Sequence, residues 1–362
     1  MSQHDAELQG LLQRLGEKLA ALDAEALLVK QPANVRYLSH FSSPEDGWVL
    51  VYDEQALLIT DGRYIAQAQQ ESRLETAIIP SQTPALRYLM EHVGERRLAF
   101  EADVLSYETV EKLTELASQP LIPSTGLVAA LRLCKSPREL EAIRRAANIA
   151  DRAFSHILDV IHVGQQEVEV ALELERFMRM QGAEAKSFDI IVASGLRSAM
   201  PHGVASSKTL AAGELITLDF GAVVDGYCSD MTRTIALGTV SDALQAMYAA
   251  VLEAQESALA ALAPGKSCQA IDAVARECLQ QHGLAEHFSH GLGHGVGLDI
   301  HEAPRLSYRS DETLQSGMVV TVEPGVYIPG NAGVRIEDLA VIHEGGFERL
   351  SHSDKQLLSL TV

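Results

Sequence analysis

A chain of 362 residues is long enough for two domains, and 47% hydrophobic with 22% charged residues is the composition of a globular protein with a substantial core. The formal net charge of −20 argues against a nucleic-acid-binding protein, because such a protein needs a basic face. Four cysteines without a Cys-x-x-Cys pair argue against a disulfide framework and against a thiolate zinc site.

The sequence contains no recognisable targeting segment. The first residues lack the basic stretch followed by an apolar run that is typical of a signal peptide. No run of about 18 apolar residues predicts a membrane span. We therefore expect a cytoplasmic protein.

Helices and strands are predicted to alternate through residues 1–130, which we assign to a first, α/β domain. Apolar residues at helical spacing predict an amphipathic helix over 4–22. Strands are predicted at 26–29, 49–52, 56–60, 76–79 and 97–100, and further helices at 61–71, 84–95 and 107–118. Residues 120–125 are interpreted as a turn-rich break before the domain boundary.

Residues 131–362 are predicted to form a second, α+β domain whose order of elements repeats in two halves. Ser136 and Pro137 predict the N-cap and first turn of its first helix. Each half is expected to contain two helices followed by a strand pair that carries two acidic residues. The helices are predicted at 138–162 and 166–182, then at 241–263 and 267–283, and the strand pairs at 214–237 and at 317–328 with 333–343.

The first acidic pair lies on a predicted hairpin. Asp225 followed by Gly226 is a strong signal for a two-residue turn. If the residues next to this turn pair with each other, Asp219 and Asp230 share one face of the hairpin, about 7–8 Å apart at the backbone. Taken alone, this pair favours surface residues at strand ends over a metal site, because lone acidic pairs are common. Cys228 is expected to be a small packed residue rather than a ligand.

The second acidic pair is Glu323 and Glu337, on β-forming segments around the turn-rich stretch 329–333. An acidic residue at the end of an apolar strand is costly to bury unless it is paired or ligated. Glycines alternate around His294 and would permit the close packing of a crowded metal site. With Asp219 and Asp230 these residues supply four carboxylates and one imidazole, whose charge matches two divalent cations. His202 and His301 are candidates for substrate contact or proton transfer, with a purely structural role as the alternative.

These segments resemble the pita-bread metallopeptidases, which include methionine aminopeptidase, aminopeptidase P and prolidase. The resemblance implies that Asp219 binds one metal ion, that His294 and Glu323 bind the other, and that Asp230 and Glu337 bridge the two. Residues 1–130 resemble the additional α/β domain of creatinase and prolidase. Residues 232–234, 323–327 and 334–338 are similar to the proline-specific branch, and the expected fold of residues 131–362 is the pita-bread fold with its pseudo-two-fold repeat.

The resemblance also implies catalytic roles. A hydroxide held between the ions would attack the bond, and Glu323 would carry its proton to the leaving proline nitrogen. His202 and His301 would hold the scissile carbonyl, while His290 and Arg335 would support the pocket. The expected metal is Mn²⁺, with Co²⁺ or Zn²⁺ also compatible with hard oxygen ligands and a single histidine. A homodimer is implied by the resemblance alone.

The expected activity is hydrolysis of the bond between an N-terminal residue and proline in a peptide. We expect an Xaa-Pro dipeptidase, with aminopeptidase P activity on longer peptides as the alternative. A creatinase-like hydrolase or a non-catalytic binding module of the same fold are further alternatives, against which the complete set of ligands argues. Residues 42–48 are interpreted either as a cap over the site or as a surface turn in which Trp48 packs on the core.

Overall fold

The computed structural model describes residues 3–361, with the backbone alone for residues 3–5. The chain divides into two compact units, of which the first ends at Arg132 and the second begins at Leu133. No helix within the described residues is both long and apolar enough to cross a membrane.

The first unit is built on a six-stranded mixed sheet in the order β4-β3-β2-β1-β5-β6. Its elements are α1 (Gln3–Ala21), β1 (Ala26–Val29), α2 (Pro32–Ser39), β2 (Trp48–Tyr52), β3 (Gln55–Asp61), α3 (Ile65–Glu71), β4 (Glu75–Ile79), α4 (Ala85–Val93), β5 (Leu98–Glu101), α5 (Tyr107–Leu116), β6 (Ile122–Ser124) and α6 (Ala129–Arg132). The predicted alternation of helices and strands is confirmed. The fully buried strands β1 and β5 lie in parallel at the centre of the sheet, where helices can cover both faces.

Two local predictions for this unit were wrong. Residues 120–125 are not merely a break, because β6 pairs in parallel with β5 at the edge of the sheet. An edge position tolerates Pro123, which has no N–H to donate. Helix α2 was not predicted; Pro32 opens it, and the Gln31 side chain accepts a hydrogen bond from the Asn34 N–H. Trp48 packs against the core of this unit, as expected for a surface turn.

The second unit contains the predicted two sets of paired helices followed by strands. Its elements are α7 (Pro137–Val160), α8 (Glu167–Met180), β7 (Ala185–Lys186), β8 (Ile191–Ser194), β9 (Glu214–Phe220), β10 (Ala222–Val224), β11 (Tyr227–Cys228), β12 (Met231–Leu237), α9 (Asp242–Ala260), α10 (Cys268–Gln281), β13 (Gly293–Gly295), β14 (Glu302–Leu306), β15 (Val319–Val322), β16 (Gly325–Tyr327), β17 (Gly333–Arg335), β18 (Asp338–His343), β19 (Gly346–Arg349) and β20 (Ser359–Leu360). Ser136 and Glu139 form a capping box at the start of α7, and Pro137 occupies its first turn as predicted.

The strands of the two halves form separate sheets. The first half contributes the order β20-β12-β9-β8, and the second half contributes β14-β13-β15-β18-β19. Buried apolar side chains of α7 and α8 pack on the first sheet, and those of α9 and α10 pack on the second. The helices therefore cover one side of each sheet and leave the acidic strand pairs to face each other.

Candidate metal centre

The first acidic pair lies on the predicted hairpin. Val224 pairs with Tyr227, and both turn residues have positive φ, 50° at Asp225 and 82° at Gly226. The same register continues past a break in the ladder to β9 and β12, where Asp219 pairs with Thr232. The predicted register is thus confirmed, and both acidic residues of the hairpin are buried.

Gly221 occupies the break because a larger residue would not fit there. A Cβ atom at this position would overlap the carbonyl oxygen of Ser229 on the opposite strand. This close approach lets the chain bend between the two ladders. Asp230 follows Ser229 directly and therefore lies between the β10–β11 pairing and the β9–β12 pairing.

The second acidic pair lies at a similar break. Val322 pairs with Asp338 on one side, and Gly325 pairs with Arg335 on the other, in one continuous register. Glu323 is next to Val322 and Glu337 next to Asp338, so this register places the two glutamates opposite each other. The sequence predicted two strands around a turn but not this direct opposition.

Hydrogen bonds join the two acidic pairs across the halves. The backbone N–H of Glu337 donates to the Thr232 carbonyl at 3.1 Å, and the Thr232 hydroxyl donates to Glu337 Oε2 at 2.7 Å. Thr234 and the backbone of Arg335 exchange two further hydrogen bonds. Strand β12 is therefore fixed against the segment that carries Glu337.

His294 adds the imidazole from the middle of β13. Its Nδ1 lies 3.1 Å from the Gly295 carbonyl oxygen, which only accepts, so Nδ1 carries the proton and Nε2 presents its lone pair. Nε2 lies 3.6 Å from Asp230 Oδ2 and 3.4 Å from Glu323 Oε1. Burial lowers the pKa of His294 to about 3, which keeps the ring in the neutral form that binds metal.

Three buried carboxylate oxygens have no hydrogen-bond partner within residues 3–361: Asp219 Oδ1, Asp230 Oδ1 and Glu337 Oε1. Leaving a buried acceptor unsatisfied costs about 1–3 kcal/mol. Ligand atoms of Asp230, His294 and Glu337 all lie within 4.8 Å of one another. Unsatisfied oxygens, converging donors and a neutral imidazole together fit divalent cations.

The electrostatics of this cluster also favour a cation. Burial, followed by repulsion from Glu337, raises the pKa of Asp230 well above its ordinary value. Burial, followed by repulsion from Glu323, does the same for Glu337. Burial raises the pKa of Glu323 to about 8. These carboxylates therefore require either protons or metal ions as counter-charge.

Arg335 is the one basic side chain that contacts an acidic ligand candidate directly among the described ion pairs. Its Nη2 donates to Asp219 Oδ2 at 2.5 Å, and its Nε donates to the Thr232 hydroxyl at 3.1 Å. Its Nη1 donates to the Tyr327 hydroxyl at 2.8 Å and to the Pro201 carbonyl at 3.1 Å. The guanidinium thus orients one carboxylate and ties it to three neighbouring segments.

His290 extends this network away from the carboxylates. Its Nδ1 donates to the Gly291 carbonyl at 2.7 Å, so its Nε2 accepts from the Tyr327 hydroxyl at 2.9 Å. Burial lowers the pKa of His290 to about 4, which is consistent with a neutral ring. The phenol of Tyr327 therefore bridges His290 and Arg335.

His202 and His301 line the cavity above the carboxylates, which has a volume of about 900 Å³. The His301 ring lies edge-on to that of His294, with 4.4 Å between the ring centroids. The side chains of both residues are exposed to solvent. Partial burial of the His301 ring, followed by the charge of Arg305, lowers the pKa of His301. Cys228 does not join the cluster; it packs among apolar residues, and burial raises its pKa to about 12.

Tyr327, Thr232 and Arg305 were not singled out as site residues from the sequence. Arg305 lines the cavity, whereas Tyr327 and Thr232 act on the candidate ligands through hydrogen bonds. A signal was available for Thr232, which lies two residues after Asp230 and so on the same face of the strand. Tyr327 was noted only within residues 323–327, whose similarity to the proline-specific branch assigned no role to its side chain, and nothing local to Arg305 indicates its role.

Each of the two units matches the profile of a known protein family. The profile of metallopeptidase family M24 matches residues 141–344. The profile of the creatinase/prolidase N-terminal domain matches residues 12–134. Residues of both acidic pairs and His294 all lie within the first of these matches.

Individual relatives align with nearly the whole chain. An Xaa-Pro dipeptidase of Pyrococcus furiosus is 38% identical over 96% of this chain and 99% of its own. The solved structure of an Xaa-Pro dipeptidase from Bacillus anthracis has a TM-score of 0.94 and 43% identity, over 98% of this chain and 100% of that one. An X-Pro aminopeptidase from Thermotoga maritima has a TM-score of 0.88 and 36% identity, over 96% of this chain and 100% of that one.

Proposed function

Because the chain belongs to metallopeptidase family M24, we propose that it is a dinuclear, metal-dependent Xaa-Pro peptidase that acts on Xaa-Pro dipeptides. The observation that carries the proposal is the convergence of Asp230, Glu337 and the neutral imidazole of His294 within 4.8 Å, together with the unsatisfied buried oxygens of Asp219, Asp230 and Glu337. Such a cluster is costly in a protein that does not bind cations. The names of the similar dipeptidases support the substrate class.

The proposed ligands divide between two ions. By the family resemblance, Asp219 would hold one ion, His294 and Glu323 would hold the other, and Asp230 and Glu337 would contribute to both. Bound divalent ions would lower the pKa of a water molecule and polarise the scissile carbonyl. The register that places Glu323 opposite Glu337 brings two of these five residues side by side.

Glu323 is the candidate for proton transfer. Its side chain is 17% exposed, compared with 11% for Asp219, 8% for His294 and 6% for Asp230. It is therefore the most exposed of the three carboxylates in this comparison. We assign to its carboxylate the removal of a proton from the attacking water and its delivery to the proline nitrogen.

His202 and His301 are assigned to the substrate carbonyl. Each lines the cavity and presents a ring that can donate a hydrogen bond to an oxygen on which negative charge develops. The amide before proline has no N–H. Recognition of this bond therefore depends on the shape of the cavity and on donors that reach the carbonyl.

A dipeptide also brings a free carboxylate into the cavity. Arg305 and Arg309 also line the cavity, and their guanidinium groups are suitable partners for this carboxylate. This charge complementarity favours dipeptides over longer peptides. Similarity to an X-Pro aminopeptidase keeps activity on longer peptides as the alternative.

The experiment compares Ala-Pro with Ala-Pro-Ala after chelation and after addition of Mn²⁺. Metal-dependent release of alanine from the dipeptide alone supports the dipeptidase, and its release from the tripeptide supports the aminopeptidase. No metal-dependent hydrolysis of either peptide would refute the proposed function. Asp219→Asn is expected to abolish activity, and Asp225→Asn, at the exposed turn of the same hairpin, is its matched control.

The same proposal includes the identity of the metal, the oligomeric state, the cellular location and the domain division. Mn²⁺ is supported by hard oxygen ligands with a single imidazole, and a homodimer by family resemblance. A cytoplasmic location is supported by four free cysteines, one of them exposed. We also retain the domain division into residues 1–130 and 131–362, with the catalytic residues in the second.

A further inference from the structure

A fully buried carboxylate lies outside the metal cluster, at the start of α8. Glu167 is the first residue of that helix, and its side chain has no exposed surface. Its Oε1 accepts two hydrogen bonds from Ser194, one from the backbone N–H and one from the hydroxyl, both at 2.8 Å. Ser194 is the last residue of β8.

The other oxygen of Glu167 holds the far end of the following loop. Oε2 accepts from the Ser206 N–H at 3.1 Å and from the Ser206 hydroxyl at 2.6 Å. It also accepts from Arg197 Nε at 2.9 Å. These donors outweigh the effect of burial and lower the pKa of Glu167, so the group is charged at neutral pH. One carboxylate therefore ties both ends of the segment 194–206.

This segment carries His202 to the cavity. Between its two tied ends, its regular structure consists of a short 3-10 turn, Gly195–Ala199, and an isolated β-bridge from Val204 to Ile191. Arg197 Nη2 donates to the Val204 carbonyl at 2.6 Å, and Arg335 donates to the Pro201 carbonyl. Contacts on either side of His202 thus set its position. Arg335 binds the preceding residue, Pro201, whereas Arg197 and Glu167 bind the following residues Val204 and Ser206.

The second half contains a similar arrangement. Asp272 of α10 is fully buried, binds Arg276, and accepts from the Leu292 N–H at 3.0 Å. Arg276 donates to the carbonyls of Phe288, at 3.0 Å, and His290. In each half, a buried acid on the second helix and its arginine partner thus hold a histidine-bearing segment in place; the arginine is Arg197 of the loop in the first half and Arg276 of α10 in the second.

We propose that Glu167 and Asp272 are positioning residues for the peptidase reaction, which hold His202 and His290 respectively in their working positions. The proposal rests on the proposed function. A loop histidine that meets developing charge must be held to within a fraction of an ångström, since a displacement of about 1 Å can cost about a hundredfold in rate. A single fully buried carboxylate that accepts five hydrogen bonds from one loop provides this rigidity.

The kinetic test compares Glu167→Gln with Glu173→Gln in the metal-loaded protein, with Ala-Pro as substrate. In Glu167→Gln an amide NH₂ replaces one oxygen and meets N–H donors, so the loop is released at one end. We expect kcat/KM to fall about tenfold to a hundredfold, mainly through kcat. Glu173→Gln weakens the partly exposed contacts of Glu173 with Arg176 and His156, neither of which lies in residues 194–206, and is expected to change kcat/KM by less than about twofold.

A double-mutant cycle separates positioning from a general structural role. In a His202→Ala background, Glu167→Gln should cost little further activity, because the histidine that it positions is absent. An equal loss in both backgrounds would overturn the proposal for Glu167. The same cycle with Asp272→Asn and His290→Ala tests the second half.

Hydrogen exchange tests the proposal without substrate. Glu167→Gln is expected to accelerate exchange in residues 194–206 while leaving α10 unchanged, and unaltered exchange in that segment would refute the positioning role. If the wild-type protein hydrolyses no Xaa-Pro peptide, the proposed function fails and the exchange result decides whether Glu167 holds the loop. Ser206→Ala removes one hydroxyl donor only and replaces Glu167→Gln should that variant not fold.

Discussion

Removal of metal is expected to destabilise the second unit by several kcal/mol. In the absence of cations, three buried oxygens of Asp219, Asp230 and Glu337 have no partner within residues 3–361. At about 1–3 kcal/mol for each unsatisfied acceptor, saturating metal should stabilise the folded protein by about 3–9 kcal/mol. For a unit of this size, 1 kcal/mol corresponds to about 2–4 °C, so Tm should fall by at least about 6 °C on chelation.

The fall in Tm on removal of metal should depend on pH. In the metal-free protein, Asp230 and Glu337 have raised pKa values and so bind protons more tightly when folded than when unfolded. Their contribution to stability is complete below their ordinary pKa values and is lost as the pH rises through the raised ones. For Glu323 this loss begins near its ordinary pKa of 4.5 and is nearly complete at about pH 8. Metal ions replace the protons, so the difference in Tm should widen from about pH 6 to about pH 8.

The assay is thermal unfolding of chelated protein and of the same protein after addition of Mn²⁺, at several pH values. Asp219→Asn should reduce the difference in Tm, and Asp225→Asn should leave it intact, as its carboxylate lies on the exposed turn. A Tm that is independent of metal, or a difference that narrows as the pH rises, would refute the assignment of the unsatisfied oxygens to cations.

Three further substitutions test the surroundings of the cluster. Asp338→Asn leaves Arg233 buried without its charge partner at 2.7 Å, and we expect a loss of about 3–5 kcal/mol in urea unfolding. Gly221→Ala places a Cβ against the Ser229 carbonyl and should abolish metal retention measured by mass spectrometry. Tyr327→Phe removes the bridge between His290 and Arg335 and should lower metal affinity or activity about 10–100-fold.

Each of these substitutions has a matched control in the first unit. Asp53→Asn affects a largely exposed ion pair and should change stability by less than about 1 kcal/mol. Gly10→Ala meets no atom within 4 Å and should retain metal fully. Tyr107→Phe alters a side chain that is 78% exposed and should leave activity unchanged. A variant that behaves like its control would contradict the role given to the buried residue.

The sequence by itself determined the local features of this protein. Turn chemistry at Asp225 and Gly226, with the two-residue period of a strand, was sufficient for the register that places Asp219 and Asp230 on one face. Helical spacing and the Ser136 cap were sufficient for the long helices. These features depend on residues that are close together in the chain. They could therefore be predicted without knowledge of the tertiary structure.

Only the tertiary structure decided how these parts meet. Glu337 joins the first hairpin through Thr232, which lies 105 residues away along the chain, and the carbonyl of Gly295 directs the His294 Nε2 toward Asp230. Segment 120–125 became a strand because a sheet edge was available to it. No local sequence pattern predicts that Glu167 accepts hydrogen bonds from both ends of the segment 194–206. Such contacts are set by the packing of distant elements, and no pattern within a short window of sequence encodes them.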